Sequence, residues 1–338
     1  MSRCLVQQTT MAQKNDNGHK KTKMTLADFY ERELPPLAEV VTFCNNLQMS
    51  LYADTTVVKS PEVVFRGAAL SQNHLVSQEY LLNFRRSEAD LGMIIGTHNY
   101  SLPMAMGAVA NRDQEENEGD LIHLPAPKNE RAPIGAVIRS RRSVRHYSGK
   151  PVSLQDLATL LYHSAGVTGH LEPENAPQTA VFSDKPQIDL HAAVSGGALY
   201  PVDLFVVALN VEKLSPKAYR YLPKFHALKP SEGSGPLPDV TRLAQFLEIE
   251  AQKAGFLIGY VYNLFENSRK YGEQGMGFAF IEAGAIAAHV HLVCTALGLG
   301  SCDVGGFSKR RLERLFHADG VTRHVIHLTV VGKSGEGA

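Results

Sequence analysis

One long apolar stretch, which runs from about Met276 to Leu299, limits the folds that this chain can adopt. It is interrupted by Glu282, His289 and His291. Burying an acidic side chain near the middle of a bilayer costs about 2.5–3.5 kcal/mol, which disfavours a membrane-spanning helix. The stretch is also rich in small residues that allow close helix packing: Gly277, Ala279, Ala283, Gly284, Ala285, Ala287 and Ala288. We therefore expect a buried helix of a soluble domain.

The composition is that of a soluble globular protein. A chain of 338 residues is long enough for one large domain or two modest ones. Lys+Arg and Asp+Glu both number 34, so no net charge attracts nucleic acid or an anionic membrane. The cysteines are too few and too scattered for a disulfide framework, and Met1–Lys23 lacks the apolar segment of a secretory signal. We expect a cytoplasmic protein.

Three residues within this stretch and one after it raise the question of zinc: His289, His291, Cys294 and Cys302. Their spacing fits no common zinc site, and ordinary buried histidine and cysteine side chains explain them better. We expect no metal centre.

The chain divides into four zones. Residues 1–24 are predicted to be a disordered tail, and residues 25–110 to be an accessory or docking region. Residues 111–133 combine an acidic run with three prolines and are predicted to be a linker. Residues 134–338 alternate between helix and strand signals and form the predicted catalytic domain.

Helices and strands interleave in 134–338, which indicates an α/β or α+β fold. Ser153 followed by Asp156 is typical of a capped helix start, and this helix is predicted to run through Leu161. The other predicted helices are Ile134–Arg141, Val240–Ala254 and Gly277–Leu297. The predicted strands are Leu204–Leu209, Phe256–Val261 and His324–Val331.

Four arginines fall within the seven residues Arg139–Arg145, where the first of these helices ends. Guanidinium groups and serine hydroxyls are good phosphate ligands. A solvated basic helix end, favoured by the helix dipole, explains the same pattern. The cluster alone leaves both interpretations open.

Three further segments could bind a ligand or carry chemistry. Ser195–Pro201 places consecutive small residues before a strand, where backbone N–H groups can approach a flat or charged ligand. Gly298–Phe307 is rich in glycine but does not have the spacing of a dinucleotide site. Lys270 and Tyr271 are an adjacent amine and phenol, which can act as an acid–base pair in a suitable environment. Each pattern also occurs in ordinary loops.

Taken together and in order, these motifs resemble the nitroreductase superfamily. The chain contains Arg-Arg-Ser-x-Arg, Ser-Gly-Gly-Ala-Leu-Tyr-Pro, Lys-Tyr, Glu-Ala-Gly and Gly-Leu-Gly-Ser-Cys-x-x-Gly-Gly-Phe. More narrowly, it is similar to the SagB/McbC-type dehydrogenases of thiazole/oxazole peptide pathways, and Tyr219–Pro223 agrees with that similarity. The resemblance extends over residues 134–333 and does not explain 25–110.

The resemblance implies an α+β fold, with a central antiparallel or mixed sheet flanked by helices, in a homodimer that holds FMN at its interface. The arginine motif would contact the phosphate, ribityl chain and pyrimidine edge, and the two glycine-rich segments would lie beside the ring system. The implied cofactor-binding residues are Arg141, Arg142, Ser143, Arg145, Ser195, Gly196, Gly197, Ala198, Leu199, Val304, Gly305, Gly306 and Lys333. Ala198 stands where general nitroreductases tend to have asparagine, which matches the azoline-oxidising branch.

The implied activity is FMN-dependent oxidation of thiazolines or oxazolines to thiazoles or oxazoles in a ribosomally made, microcin-like peptide. Lys270 and Tyr271 match the catalytic pair of that branch, and our hypothesis is that Lys270 takes the ring proton while Tyr271 positions or relays it. The implied partners are the precursor peptide and cyclodehydratase or leader-binding subunits. Two alternatives are an NAD(P)H-dependent nitro or quinone reductase and a non-catalytic scaffold subunit.

Overall fold

The computed structural model describes Tyr80 and residues 121–129, 131–171, 188–231, 236–244, 246 and 248–335. The predicted tail, nearly all of the predicted accessory region and residues 111–120 of the predicted linker lie outside this part of the chain.

Helices and strands interleave along the described residues. The α-helices are α1 (Ile134–Ser140), α2 (Leu154–Ala165), α3 (Leu264–Tyr271), α4 (Gln274–Ala296) and α5 (Lys309–Leu315). The strands are β1 (Ile122–His123), β2 (Val167–Leu171), β3 (Ile188–His191), β4 (Val202–Ala208), β5 (Ala218–Leu222), β6 (Ala227–Pro230), β7 (Phe256–Asn263), β8 (Leu299–Asp303) and β9 (Arg323–Lys333).

The centre of the fold is a seven-stranded sheet with the order β1-β6-β5-β4-β7-β9-β8. Every pair of neighbouring strands in it is antiparallel. β2 and β3 form a separate two-stranded sheet. The predicted α+β fold with an antiparallel sheet flanked by helices is therefore confirmed.

The central strands β4 and β7 are apolar runs because both faces of the sheet are covered. Leu204 and Val206 of β4 belong to the core shared with α2 and α4. Phe205 and Val207 point the other way, into a second core that contains Leu312 of α5. Since successive side chains of a strand alternate between faces, two opposed cores require an unbroken hydrophobic strand.

The long apolar stretch forms α4, as predicted. Its length and composition would also suit a membrane span. It packs against α2, α3 and β8 instead. Glu282, one of its polar residues, is 2 % exposed, and its Oε1 accepts a hydrogen bond of 3.1 Å from the backbone N–H of Val202. α4 is thus a core helix of the domain, and burial of its acid is compensated by a hydrogen bond.

The start of α2 follows the predicted capping pattern. The Ser153 side chain accepts a 3.0 Å hydrogen bond from the N–H of Asp156, one of the amides that lack a partner within the helix. α2 continues to Ala165, beyond the predicted end at Leu161.

The prediction of a helix over Val240–Ala254 is wrong. The described residues of this segment contain two short 3-10 turns, Val240–Arg242 and Ala251–Lys253. Its backbone bonds to other parts of the chain: Glu250 N–H donates to the carbonyl of Arg145, and Leu243 carbonyl accepts from Ser308 N–H. These tertiary bonds replace the i to i−4 bonds of a helix.

The sheet begins before residue 134. β1 lies within the segment predicted to be a linker, and its two residues pair with Ala227 and Leu228 of β6. The following residue, Leu124, is buried in the core.

Candidate functional site

The arginine motif lies directly beside the edge of the sheet. α1 ends at Ser140, and the next residues run alongside β8, where Val144 N–H donates a 3.0 Å hydrogen bond to the carbonyl of Ser301. A Cβ atom on Gly300 would lie 2.6 Å from the Val144 side chain, so the glycine allows this close approach. Arg141 and Ser143 are two residues apart here and face the same side, as in an extended strand.

A cavity of about 700 Å³ opens at this place. Arg141 and Ser143 line it, together with one face of α4 between Phe280 and Leu292. Asp303 and residues of β9 complete the wall. Cavities of about 300–1,000 Å³ are typical of small-molecule and cofactor sites.

The other cationic residues predicted for this site do not line the cavity. Arg142 is exposed, and its guanidinium donates to the carbonyls of Arg139 and Arg141 at 2.9 and 2.7 Å. The Arg145 guanidinium donates to the carbonyl of Ser143 at 3.5 Å. Lys333 ends β9 opposite Leu299 of β8 and lies outside the cavity wall as well.

The residues of the glycine-rich segment after β8 differ in whether their N–H groups can bond to a ligand. Val304 is buried, and its N–H donates a 2.8 Å hydrogen bond to the carbonyl of Leu328. It is therefore not available to a ligand. Gly305 and Gly306 are exposed, and a Cβ atom on Gly305 would meet no atom within 4 Å. Of the three predicted residues, these two glycines can offer an N–H to a ligand.

Asp303, which precedes this segment, is held by three hydrogen bonds. Its carboxylate lies 2.8 Å from Nε2 of His291 and 3.1 Å from Nε2 of His327, and it accepts a 2.7 Å bond from the hydroxyl of Thr329. Burial by itself would raise the pKa of Asp303, but the bonds from His291, His327 and Thr329 outweigh it and hold the pKa far below its ordinary value. The carboxylate is therefore ionised throughout the physiological pH range.

Sequence reasoning did not find this cluster. In the sequence, His291 is a candidate only as a zinc ligand, and no motif points to Asp303 or His327 as site residues. The three residues lie on α4, β8 and β9, and only the packing of these elements brings them together. The available signal was the position of Asp303 directly before the glycine-rich segment.

The loop Ser195–Leu199 has an unusual backbone. Gly197 forms the middle of a 3-10 turn with a φ of 66°, and Ala198 and Tyr200 also have positive φ values, of 55° and 47°. Residues other than glycine rarely adopt this conformation, and such strain is frequent at functional sites. Ser195 supports the loop, because its hydroxyl accepts a 2.9 Å hydrogen bond from the N–H of Tyr200. Leu199 is buried and anchors the loop in the core.

Lys270 and Tyr271 lie against this loop. They form the last turn of α3, and a Cβ atom on Gly197 would lie 2.6 Å from the hydroxyl oxygen of Tyr271 and 2.7 Å from Nζ of Lys270. A Cβ atom on Gly196 would lie 3.6 Å from Cε2 of the Tyr271 ring. Two motifs that are more than 70 residues apart in the sequence thus form one cluster.

Burial changes the acid–base properties of this pair. It lowers the pKa of the Lys270 amine and raises the pKa of the Tyr271 hydroxyl. The Tyr271 ring packs edge-on against Phe278, with 4.9 Å between the ring centroids, and Nζ of Lys270 lies 5.3 Å from the centroid of the Tyr271 ring. Phe278 thus supports the tyrosine ring, and the amine next to it is more easily neutral than an exposed lysine.

Most of the predicted site residues therefore form two groups within one chain, while Arg142, Arg145, Val304 and Lys333 belong to neither. The cavity group contains Arg141 and Ser143, with Gly305 and Gly306 following Asp303 of its wall. The loop group contains Ser195–Leu199, Lys270 and Tyr271. No residue of the loop group is among the described residues that line the cavity.

The chain has relatives over this domain. The model of the nitroreductase family matches residues 138–333. Two relatives are named "putative nitroreductase": a protein of Methanocaldococcus jannaschii, 28% identical over 200 residues that cover 58% of this chain and 90% of its own, and a crystal structure from Ralstonia eutropha JMP134. The latter is 21% identical with a TM-score of 0.48, and the match covers 65% of this chain and 92% of that one.

A further solved structure is similar over a longer part of the chain. It is the E. coli microcin synthetase McbBCD complex with truncated pro-MccB17 bound, one chain of which is 16% identical with a TM-score of 0.48. The match covers 90% of this chain and 96% of that one.

The family match extends over more than half of the chain and contains both groups of site residues. The resemblance to the nitroreductase superfamily is thereby confirmed. The protein belongs to the nitroreductase family of oxidoreductases, whose members typically bind FMN.

Proposed function

We propose that this protein is an FMN-dependent azoline dehydrogenase, which oxidises thiazolines or oxazolines in a ribosomally made peptide to thiazoles or oxazoles. The observation that carries the proposal is the contact between the Gly197 loop and the Lys270–Tyr271 pair. A partly buried amine beside a phenol is an acid–base pair that can remove a proton from carbon.

The residues of the cavity suit FMN. The forked guanidinium of Arg141 and the hydroxyl of Ser143 are phosphate ligands, and the cavity volume of about 700 Å³ is sufficient for a flavin mononucleotide. The N–H groups of Gly305 and Gly306 can bond to the edge of the ring system, because open space lies above Gly305. When bound, FMN supplies the acceptor for a hydride.

The chain itself provides the base. Converting an azoline to an azole removes two hydrogens from the ring, one as a proton and one as a hydride with its electron pair. We assign the proton to the neutral Nζ of Lys270, which becomes an ammonium group. The Tyr271 hydroxyl orients the substrate ring or relays the proton, and Gly197 leaves the space that this contact needs.

We also propose a homodimer, in which the loop group of one protomer completes the cavity of the other. The separation of the two groups within one chain supports this arrangement. So do the exposed apolar side chains next to the cavity: Phe280 and Ile281 of α4 are 51% and 64% exposed, and Ile138 of α1 is 58% exposed. Large exposed apolar surfaces of this kind are typical of protein interfaces.

The substrate peptide and the enzyme that forms its azolines complete the proposal. A cyclodehydratase must act before this enzyme, because it makes the ring that is oxidised. We propose that both act in the cytoplasm, and that residues 25–110 dock the other subunits.

The test begins with the absorbance spectrum of the purified protein, followed by anaerobic addition of NADPH. The proposal predicts a flavin spectrum that NADPH bleaches slowly and an azoline peptide bleaches fast. Lys270→Ala should keep the flavin spectrum and lose azole formation, whereas Lys224→Ala, at an exposed lysine of the turn between β5 and β6, should behave like the wild type.

Other outcomes favour the alternatives. Fast bleaching by NADPH and no reaction with an azoline peptide would identify a nitro or quinone reductase; the relative from Methanocaldococcus jannaschii is named as a putative nitroreductase. Absence of flavin in the purified protein, and no binding of added FMN, would support a non-catalytic scaffold subunit.

A further inference from the structure

In the cluster of Asp303, His291 and His327, the bonds to the carboxylate also determine which nitrogen of each histidine can take up a proton. An ionised carboxylate only accepts hydrogen bonds, so Nε2 of His291 and Nε2 of His327 must both carry a hydrogen. This leaves Nδ1 of each ring as the atom that can gain or lose a proton.

The two Nδ1 atoms differ in their surroundings. Nδ1 of His291 lies 2.7 Å from the Ser301 hydroxyl, and both residues are buried. The order Ser301–His291–Asp303 resembles a hydrolytic triad, but the hydroxyl is enclosed behind the imidazole and cannot reach a substrate. The His327 side chain is 27% exposed and lines the cavity, and within the described part of the chain nothing bonds to its Nδ1.

Apart from His291, whose Nδ1 is engaged with the Ser301 hydroxyl, the titratable groups of the cavity and its surroundings remain neutral or carry a fixed charge. Burial raises the pKa of Tyr260, whose ring lies 4.9 Å from that of His327, and it raises the pKa of Cys294 to about 12. The other titratable or charged groups of the cavity and its surroundings are Arg141, His291, Cys302 and Asp303. Of these, Arg141 stays cationic and Asp303 stays anionic, and burial raises the pKa of the Cys302 thiol.

We propose that Asp303, His291 and His327 form a proton-uptake centre coupled to reduction of a flavin in the cavity, with Nδ1 of His327 as the atom that is protonated. This inference rests on the proposed binding of FMN there. Hydride transfer to FMN bound there would add two electrons and one hydrogen nucleus, and hence one negative charge, to the cavity. Next to the anionic Asp303 this charge is unfavourable, and a proton taken from solvent onto His327 offsets it. The proton returns to solvent when the flavin is reoxidised.

The experiment measures the reduction potential of the FMN-loaded protein as a function of pH. For a two-electron couple, each additional proton taken up on reduction steepens the slope of the potential against pH by about 30 mV per pH unit. The wild type should show this additional slope over one interval of pH. His327→Gln should lose it, because glutamine can still donate to Asp303 but cannot be protonated.

The matched control is His170→Gln. His170 also pairs with a carboxylate, that of Asp189 at 2.9 Å, but it lies on β2 outside the cavity wall. This variant should keep the wild-type slope. Asp303→Asn provides a second test: without the carboxylate the additional slope should move to lower pH, since the imidazolium loses its stabilising partner.

The outcomes distinguish the two proposals. FMN binding with the same slope in the wild type, His327→Gln and Asp303→Asn would overturn the proton-uptake centre and leave the dehydrogenase proposal intact. A protein that does not bind FMN would overturn both.

Discussion

Gly197 and Tyr271 are in direct contact: a Cβ atom on the glycine would lie 2.6 Å from the tyrosine hydroxyl oxygen. The glycine has a φ of 66°, in the region that favours glycine. The same absent Cβ atom would lie 2.7 Å from Nζ of Lys270. Glycine is thus favoured at position 197 both by its backbone conformation and by the lack of space for a Cβ atom, and the atoms that fill this space belong to the cluster that we assign to proton removal.

Gly197→Ala should therefore damage activity more than stability. A left-handed conformation costs an ordinary residue about 1–2 kcal/mol, and the new methyl group would displace the Tyr271 hydroxyl and the Lys270 amine. We expect at least a tenfold loss in kcat for azoline oxidation. Gly298→Ala is the matched control, because Gly298 has a φ of 70° with no atom within 4 Å of the added Cβ. Equal loss of activity in both variants would contradict a role of the contact.

The rate of azoline oxidation should increase with pH. Burial lowers the pKa of Lys270, so the neutral amine that accepts the proton becomes populated at a lower pH than in an exposed lysine. A profile of kcat against pH should rise through this lowered pKa. Lys270→Arg keeps the positive charge and should lose the rising limb, while Lys224→Arg should retain it. A rising limb that persists in Lys270→Arg would assign the base elsewhere.

Phe280→Glu should dissociate the proposed homodimer. The side chain is 51% exposed next to the cavity, and a buried, unpaired carboxylate at an interface is unfavourable. Light scattering coupled to gel filtration should change from the mass of two chains to that of one, with at least tenfold weaker FMN binding. Val321→Glu changes a side chain that is 57% exposed elsewhere and should leave the mass unchanged. A wild-type protein with the mass of a single chain would contradict the dimer.

Asp303→Asn should lower the free energy of unfolding at neutral pH, and this difference from the wild type should disappear in acid. The pKa of Asp303 is lowered in the folded state, so its stabilising contribution is present above the unfolded pKa of about 3.9 and disappears as the pH falls through the folded value. We expect about 1–2 kcal/mol at pH near 7, because the carboxylate is 41% exposed and solvent weakens its bonds. Urea unfolding at several pH values measures the difference.

The control for this prediction is Asp189→Asn, which removes the carboxylate of the exposed pair with His170. Exposed ion pairs contribute about 0–1 kcal/mol, so this variant should change stability little. The wild type and Asp303→Asn could instead differ in stability by the same amount at pH values above and below about 4. This result would show that the hydrogen bonds do not depend on the charge of the carboxylate.

Much of the fold follows from local sequence patterns. The apolar stretch predicted α4, Ser153 predicted the start of α2, and apolar runs predicted β4, β7 and β9. These elements are determined by hydrophobic periodicity and by capping, which act over a few residues. The segment Val240–Ala254 was mispredicted, because its backbone bonds to Arg145 and Ser308, far away in the sequence.

The chemical types of the site residues were also readable from the sequence, while their arrangement was decided by tertiary structure. The motifs identified the family and named Arg141, Ser143, Gly197, Lys270 and Tyr271. Only the packed structure places Gly197 against Lys270 and Tyr271. It also bonds the N–H of Val304 to the carbonyl of Leu328. The same packing brings Asp303, His291 and His327 together. Local patterns specify which groups a segment carries, but the distance between two groups on different segments depends on how the sheet and helices pack.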